Sequence, residues 1–144
     1  MRTIGEILAA KAKPGTVKVA ADDTVLEAVR QMDRANTGSV VVLEGDRLVG
    51  IFTERDLMRR VVLKGLDIAT TAVSDVMTRD LVYSLPDEAL EAVMRKMTQH
   101  RCRHLPVVDG DNLLGVISIG DVMKELSEEQ TVEIQFLKEY IYSR

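Results

Sequence analysis

At 144 residues, with 46% hydrophobic and 29% charged positions, the chain is one compact unit or two very small ones, and its composition is globular rather than disordered. A net charge of −4 and an aromatic content of 3% argue against nonspecific duplex binding and against stacking platforms for single-stranded nucleic acid. The one cysteine, Cys102, excludes an internal disulfide and any cysteine-only metal cluster.

No apolar run approaches the ~20 residues of a membrane span. Met1–Lys13 has no long apolar segment followed by a small-residue cleavage site, so a cytoplasmic address is expected.

The chain opens on an amphipathic segment, Ile4-Gly5-Glu6-Ile7-Leu8, and a basic connection, Lys11-Ala12-Lys13-Pro14-Gly15. An extended piece is expected at Thr16–Ala20. Asp22-Asp23-Thr24 then supplies a turn and a helix cap, because short polar side chains accept bonds from free helix N–H groups. Val25, Ala28, Val29 and Met32 recur at helical spacing. Val40-Val41-Val42-Leu43 is too short for a helix and rich in β-branched residues, which predicts a buried strand. Glu44-Gly45-Asp46-Arg47 predicts a hairpin turn, with glycine available for positive φ. Leu48–Thr53 reads as its second strand, and a closing helix starts near Thr53–Asp56.

The pattern then restarts. Val73-Ser74-Asp75-Val76-Met77 resembles the opening segment. Leu81–Leu85 predicts an extended piece, and Pro86-Asp87-Glu88 a turn and cap. Leu90, Val93, Met94 and Met97 mark a helix, Leu105–Val108 a buried strand and Asp109-Gly110-Asp111-Asn112 a hairpin turn. Leu113–Ser118 and a helix from Ser118–Asp121 come next. Leu126–Arg144 reads as a terminal helix whose stripe includes Ile134, Leu137 and Ile141.

This is an internal repeat. Shifted by 65, residues 16–58 fall on 81–123 without a gap, and eleven of the 43 pairs are identical; chance at average usage gives about two or three. The identities include Asp22/Asp87, Gly45/Gly110, Gly50/Gly115 and Asp56/Asp121. Each β-α-β-β-α unit of about 60 residues buries too little surface alone. An α/β fold is therefore expected, with two repeats packed through their sheets about a pseudo-twofold axis. Sequence order divides the chain into 1–65, 66–125 and a terminal helix at 126–144.

Both strand-to-helix junctions carry glycine, two intervening residues, a hydroxyl residue and then aspartate three positions on: Gly50-Ile51-Phe52-Thr53-Glu54-Arg55-Asp56 and Gly115-Val116-Ile117-Ser118-Ile119-Gly120-Asp121. A hydroxyl beside free N–H groups at a helix start suits an anion. A carboxylate one turn later can accept from the vicinal hydroxyls of a ribose. Glycine admits a backbone or a flat base. Plain helix capping by Thr53 and Ser118 uses the same residues.

The repeat order and these two segments resemble a tandem cystathionine β-synthase (CBS) domain pair, or Bateman module, of the small stand-alone bacterial type, over about residues 2–125. Ser74-Asp75-Val76-Met77-Thr78 and Met97–Val108 add to the likeness. The resemblance implies a non-enzymatic sensor of adenine nucleotides: AMP first, then ADP, ATP or NAD(H), acting through the packing of a homodimer on an unidentified protein partner. It implies that Asp56 and Asp121 hold ribose hydroxyls and that Thr53 and Ser118 lie near phosphate. It places one adenine slot near Val76, Cys102 and Ile117, and the other near Ile7, Thr37 and Phe52. Arg103 and His104 match phosphate-approaching positions. The first repeat has Gly38 and Ser39 there, where Arg55 or Lys13 would substitute, so the second site is expected to prefer anions.

Other residues carry less. His100, Cys102 and His104 would share one side of an extended segment, but a metal site needs three or four convergent ligands. Arg101 and Arg103 would lower the Cys102 pKa, yet no partner base or oxyanion hole is apparent, and a small buried thiol is the simpler reading. Glu125, Glu128 and Glu129 read as a solvated helix face. No Walker-type loop or catalytic-triad spacing supports an enzyme. The rival reading is an interaction module with vestigial sites; nucleic acid and membrane are not expected partners.

Overall fold

The computed structural model describes residues 2–11 and 17–142. Thr16, Lys13 and Arg144, which figure in the sequence reading, lie outside them. The elements in order are α1 (Ile4–Ala9), β1 (Lys18–Ala20), α2 (Val25–Ala35), β2 (Ser39–Glu44), β3 (Arg47–Thr53), α3 (Glu54–Asp56), α4 (Leu90–His100), β4 (His104–Asp109), β5 (Asn112–Ser118) and α5 (Ile119–Tyr142). A π-helical turn, Leu57–Val62, continues α3, and a 3-10 turn spans Val73–Asp75.

Three strands form one sheet, with β1 parallel to β2 and β2 antiparallel to β3; β4 and β5 form a second, antiparallel sheet. The two hairpins share their irregularity. Each has a register shift at the same repeat position, Val42/Leu43 and Val107/Val108. Each turns on a glycine with positive φ, 62° at Gly45 and 61° at Gly110. β3 and β5 lie against each other, which joins the two sheets.

The repeats diverge at their entry. Thr24 caps α2, its hydroxyl accepting from the Glu27 amide at 3.2 Å. At α4 the cap position is Ala89, without a side-chain bond, and Asp87 does not cap; Glu88 instead accepts from the Leu85 amide at 3.0 Å. The extended piece expected at Leu81–Leu85 shrinks to a bridge at Ser84, which pairs in parallel with Val107. The terminal helix is not separate either: α5 runs unbroken from Ile119, so the boundary at 125/126 falls inside it.

Core packing does not follow sequence order. Ile4 and Ile7 of α1 are buried with Leu90, Val93, Leu105 and Ile117 of the second repeat. Val73, Val76 and Met77 are buried with Val25, Val40, Phe52 and Val61 of the first. Each repeat is thus completed by the segment that precedes the other one, and the N-terminal segment packs away from the repeat it adjoins in sequence.

Gly50 and Gly115 make this exchange possible. A Cβ on Gly50 would meet the Met77 side chain and the Thr78 carbonyl at 3.0 Å; on Gly115 it would meet the Leu8 side chain at 2.9 Å. The close approach that glycine allows is therefore filled by the chain's own crossing segment. The Thr78 carbonyl cannot retreat, because it accepts from the Ile51 amide at 3.0 Å while the Thr78 amide donates back at 2.8 Å. The tips of Leu8 can rotate. Gly50→Ala is expected to cost about 1–3 kcal/mol by overpacking and Gly115→Ala distinctly less. Urea denaturation of the two variants checks the order.

Candidate functional site

Each hydroxyl–carboxylate pair closes a reciprocal cap. Thr53 Oγ1 accepts from the Asp56 amide at 3.2 Å, and Asp56 Oδ2 accepts from the Thr53 amide at 3.0 Å. Ser118 and Asp121 repeat this at 3.1 and 2.8 Å. The capping reading of these residues is realised in full.

The two carboxylates nevertheless sit in different surroundings. Asp56 is buried. The Thr53 and Thr78 hydroxyls donate to it at 3.2 and 3.0 Å, and Arg60 Nε lies 3.6 Å from Oδ1. Arg60 also donates to the Met77 carbonyl at 2.8 Å, which ties the crossing segment to the cap. Asp121 is half-buried and its partner is Lys11 Nζ at 2.9 Å, which also donates to the Val116 carbonyl at 3.0 Å. Burial pushes the Asp121 pKa up, but the Ser118 amide and Lys11 pull it further down, to a net value below the usual range.

Two clefts form where the repeats meet, each mixing residues of both. One, of about 360 Å³, is lined by Thr53, Arg55, Asp56 and Thr78 of the first hairpin and crossing segment, and by Arg101, Cys102, Arg103 and His104 from the α4–β4 turn. The other, of about 690 Å³, sets Ser118, Val116 and Lys11 against Asn36, Thr37, Gly38 and Ser39 of the α2–β2 turn. Both lie in the size range of small-molecule sites. Gly38 and His104 line both clefts, so the two meet at a common wall. The turns are pseudo-equivalent: Asn36 and Arg101 each end a helix with φ 52°.

This arrangement corrects the grouping of site residues. Cys102 and Arg103 face the cap of the first repeat, Thr53–Asp56, rather than that of their own repeat, while His104 borders both clefts. Thr37 faces Ser118. Arg55, Arg101 and Arg103 line the Asp56 cleft together with Glu54, with Arg55 donating to the Arg101 carbonyl at 3.4 Å, and Lys11 is the one Lys or Arg among the described residues lining the Ser118 cleft. Val76, Ile117, Phe52 and Ile7 point into the two cores; neither of these two clefts is lined by their side chains. Lys13 lies outside the described residues.

Burial holds the His104 pKa below its ordinary value. Glu54 and Asp121 pull it up, while Lys11 and Arg103 add to the depression. Cys102 is also pushed up by burial, so the thiol is less reactive than its arginine neighbours suggested. His100 ends a helix and Arg101 turns left-handed, so His100, Cys102 and His104 do not form one extended row. No metal-holding cluster occurs among the described residues.

Glu125 is buried beside Arg2 at 3.8 Å, not on a solvated face. Lys11, Thr78 and Arg60 were given no site role in the reading of the sequence. Carried two residues past Met58, the repeat register held one signal: it sets Arg60 against Glu125, a cation against an anion.

The sequence profile of the CBS domain matches the chain twice, at residues 4–63 and 73–128. The chain belongs to the CBS domain family. It is 35% identical to the mitochondrial CBS domain-containing protein CBSX3 of Arabidopsis thaliana, over 96% of this chain and 71% of that one. A protein with CBS domains from Burkholderia ambifaria MC40-6 superposes with a TM-score of 0.82 at 40% identity, covering 89% of this chain and 96% of that one. The CBS domain pair of MJ0100, solved with 5′-methylthioadenosine and S-adenosyl-L-methionine, shares the fold at a TM-score of 0.77 and 20% identity, over 90% of this chain and 98% of that one. The two clefts described above thus lie between the two halves of a CBS pair. No helix among the described residues is long and apolar enough to cross a membrane.

Proposed function

We propose that this CBS pair is a non-enzymatic regulatory module that binds an adenine nucleotide, with AMP the leading ligand and ADP, ATP and NAD(H) next. The supporting observation is that each cleft sets the cap hydroxyl of one repeat, Thr53 with Asp56 in the first and Ser118 in the second, against the helix-to-strand turn of the other, while Asp121 lines a neighbouring cleft beside Lys11. A ligand held there touches both repeats and favours one packing over another by its differential affinity. Arg55, Arg101 and Arg103 give the Asp56 cleft a field suited to phosphate, and the adjoining Ser118 cleft leaves room for a longer dinucleotide. Adenosyl compounds are held by the MJ0100 pair, which fits the same ligand class. A homodimer is part of the proposal, in keeping with Met58 and Met123, which occupy matching places in the two repeats and are both exposed.

Thermal melts test the reading. A ligand that binds only the native state at a hundredfold excess over its Kd adds about 2.7 kcal/mol. AMP is expected to raise the melting temperature, and a guanosine nucleotide is not. Equal shifts for both bases, or none, would sink it.

Asp121→Asn probes the Ser118 cleft through its lining residues Ser118 and Lys11, both of which Asp121 bonds. Asparagine can still accept from the Ser118 amide, so the cap survives, while the ion pair with Lys11 at 2.9 Å is lost. This variant should lose a modest part of its stability at neutral pH, the share that the carboxylate draws from Lys11, and bind AMP less well. The carboxylate, held below its usual pKa, contributes stability that is present above about pH 4 and disappears as pH falls through the folded value. In the variant that acid limb should flatten, as urea denaturation at a series of pH values would record.

His104 adds a pH dependence of definite sign. Burial depresses its pKa, so below about pH 6.5 the unfolded chain takes up a proton that the folded one resists. Stability without ligand therefore declines as pH drops through that window. A phosphate beside the ring works in the opposite direction and raises the pKa. AMP affinity should then rise as pH falls from about 8 toward 6, while the unliganded protein loses stability over the lower part of that range. A flat AMP affinity across the range would place the ring away from the phosphate.

One observation favours the rival reading, an interaction module with vestigial sites. Both carboxylates are already bonded by the chain itself, Asp56 through Thr53, Thr78 and Arg60. The absence of nucleotide from denatured preparations, together with flat melts, would establish it.

A further inference from the structure

The two cap carboxylates differ in what they offer a ligand. Thr53, Asp56 and Thr78 all line the Asp56 cleft. In the second repeat Ser118 lines the corresponding cleft, but Asp121 does not. Asp121 lines a neighbouring cleft of about 540 Å³ formed between α1 and α5. Lys11 lines both of these clefts, so its side chain stands between the Ser118 cleft and the carboxylate that belongs to it.

The difference begins in the crossing segments. Leu8 packs against Gly115 as Met77 packs against Gly50, so Ala9 holds the place of Thr78. The Thr78 hydroxyl donates to Asp56 at 3.0 Å, whereas an alanine side chain has nothing to donate. Lys11, two residues further on, supplies the missing donor. Its Nζ lies 2.9 Å from Asp121 Oδ2, the oxygen that also accepts from the Ser118 amide at 2.8 Å, and it donates to the Val116 carbonyl at 3.0 Å. A short neutral donor is thus replaced by a cation on a flexible four-carbon stem. Holding so long a side chain costs rotamer freedom, and rotation about its own bonds withdraws it without any movement of α1. The ion pair is not what fixes α1, because Ile4 and Ile7 are buried in the second core.

We infer that Lys11 is a displaceable plug on the second site. Its ammonium takes the place at Asp121 that the vicinal hydroxyls of a ribose would take, and a nucleoside reaches the carboxylate only when Lys11 turns away. The inference rests on the nucleotide reading above and adds an order of filling. The Asp56 cleft, whose carboxylate lines it, fills first. The Ser118 cleft fills at higher ligand concentration, because part of the binding energy goes into breaking the contacts of Lys11.

Lys11→Met tests this, with adenosine as the probe because an uncharged ligand is indifferent to the loss of a nearby cation. Calorimetric titration of the wild type should show a second, weaker step. In Lys11→Met that step should tighten about three- to tenfold, the share consumed by breaking the ion pair and the Val116 bond. Lys11→Gln, shorter and neutral, should act in the same direction. In an Asp121→Asn background Lys11→Met should change the second step by less than about twofold, since no ion pair remains to be broken. A second step that is unchanged or weaker in Lys11→Met, or an equal gain in both backgrounds, overturns the plug. Melts without ligand would show that the variants are folded. An AMP melt shift that persists beside an unchanged Lys11→Met titration overturns the plug alone, whereas no binding of adenosine or AMP by any of these proteins overturns the nucleotide reading and the plug with it.

Discussion

Asp56→Ala is expected to destabilise the protein by about 2–3 kcal/mol, because it strips a buried acceptor from several donors at once. The Thr53 amide, the Thr53 hydroxyl and the Thr78 hydroxyl lose their partner, and Arg60 loses its carboxylate at 3.6 Å. Arg60 is half-exposed and can turn to water, which keeps the loss below that of a fully buried ion pair. The effect reaches beyond the cap, because Thr78 and Arg60 fasten the segment that completes the first core. At about 2–4 °C per kcal/mol for a chain of this size, the melting temperature should fall by about 5–10 °C. A loss no larger than that of Asp121→Asn would mean that the different burial of the two carboxylates is irrelevant.

Arg103→Ala is expected to lower AMP affinity by about 10-fold or more while leaving adenosine nearly unchanged. A charged donor to phosphate is worth about 1.5–3 kcal/mol when shielded. Arg103 is exposed, which places the effect at the low end and makes it shrink with salt. Because Arg103 faces the Thr53–Asp56 cap, the lost binding should be the share that also responds to Arg55→Ala, not the share that responds to Asp121→Asn. Calorimetric titration of AMP and adenosine into these variants separates the shares. Equal losses for AMP and adenosine would remove Arg103 from the site.

The repeat was legible in the order of amino acids alone, and so were its local consequences. The ungapped register at a shift of 65 gave the two hairpins, their positive-φ glycines, the helices beginning at Val25 and Leu90, and the two Thr/Ser–Asp caps. These features are set by periodicity, turn chemistry and short-range side-chain bonds. The resemblance carried by the same segments identified the family. The failed extended piece at Leu81–Leu85 shows the limit of copying one repeat onto the other, since Pro106, without an N–H, stands where Val41 donates to the Val17 carbonyl in the first repeat.

Which repeat each segment serves was settled by the packing of the two halves. That α1 completes the second core, that 73–77 completes the first, and that Arg103 faces Asp56 rather than Asp121 are long-range outcomes, and a one-dimensional register holds no information on them. The same holds for Lys11, Thr78 and Arg60, whose types are ordinary at a surface. The crossing segments bring Thr78 to a carboxylate 22 residues away and Lys11 to one near the other end of the chain, and Arg60 gains its second role from the Met77 carbonyl. Apolar side chains near the caps, such as Phe52 and Ile117, went to the cores instead of the clefts because strand alternation sends neighbouring residues to opposite faces, and the buried face is fixed by what packs against it.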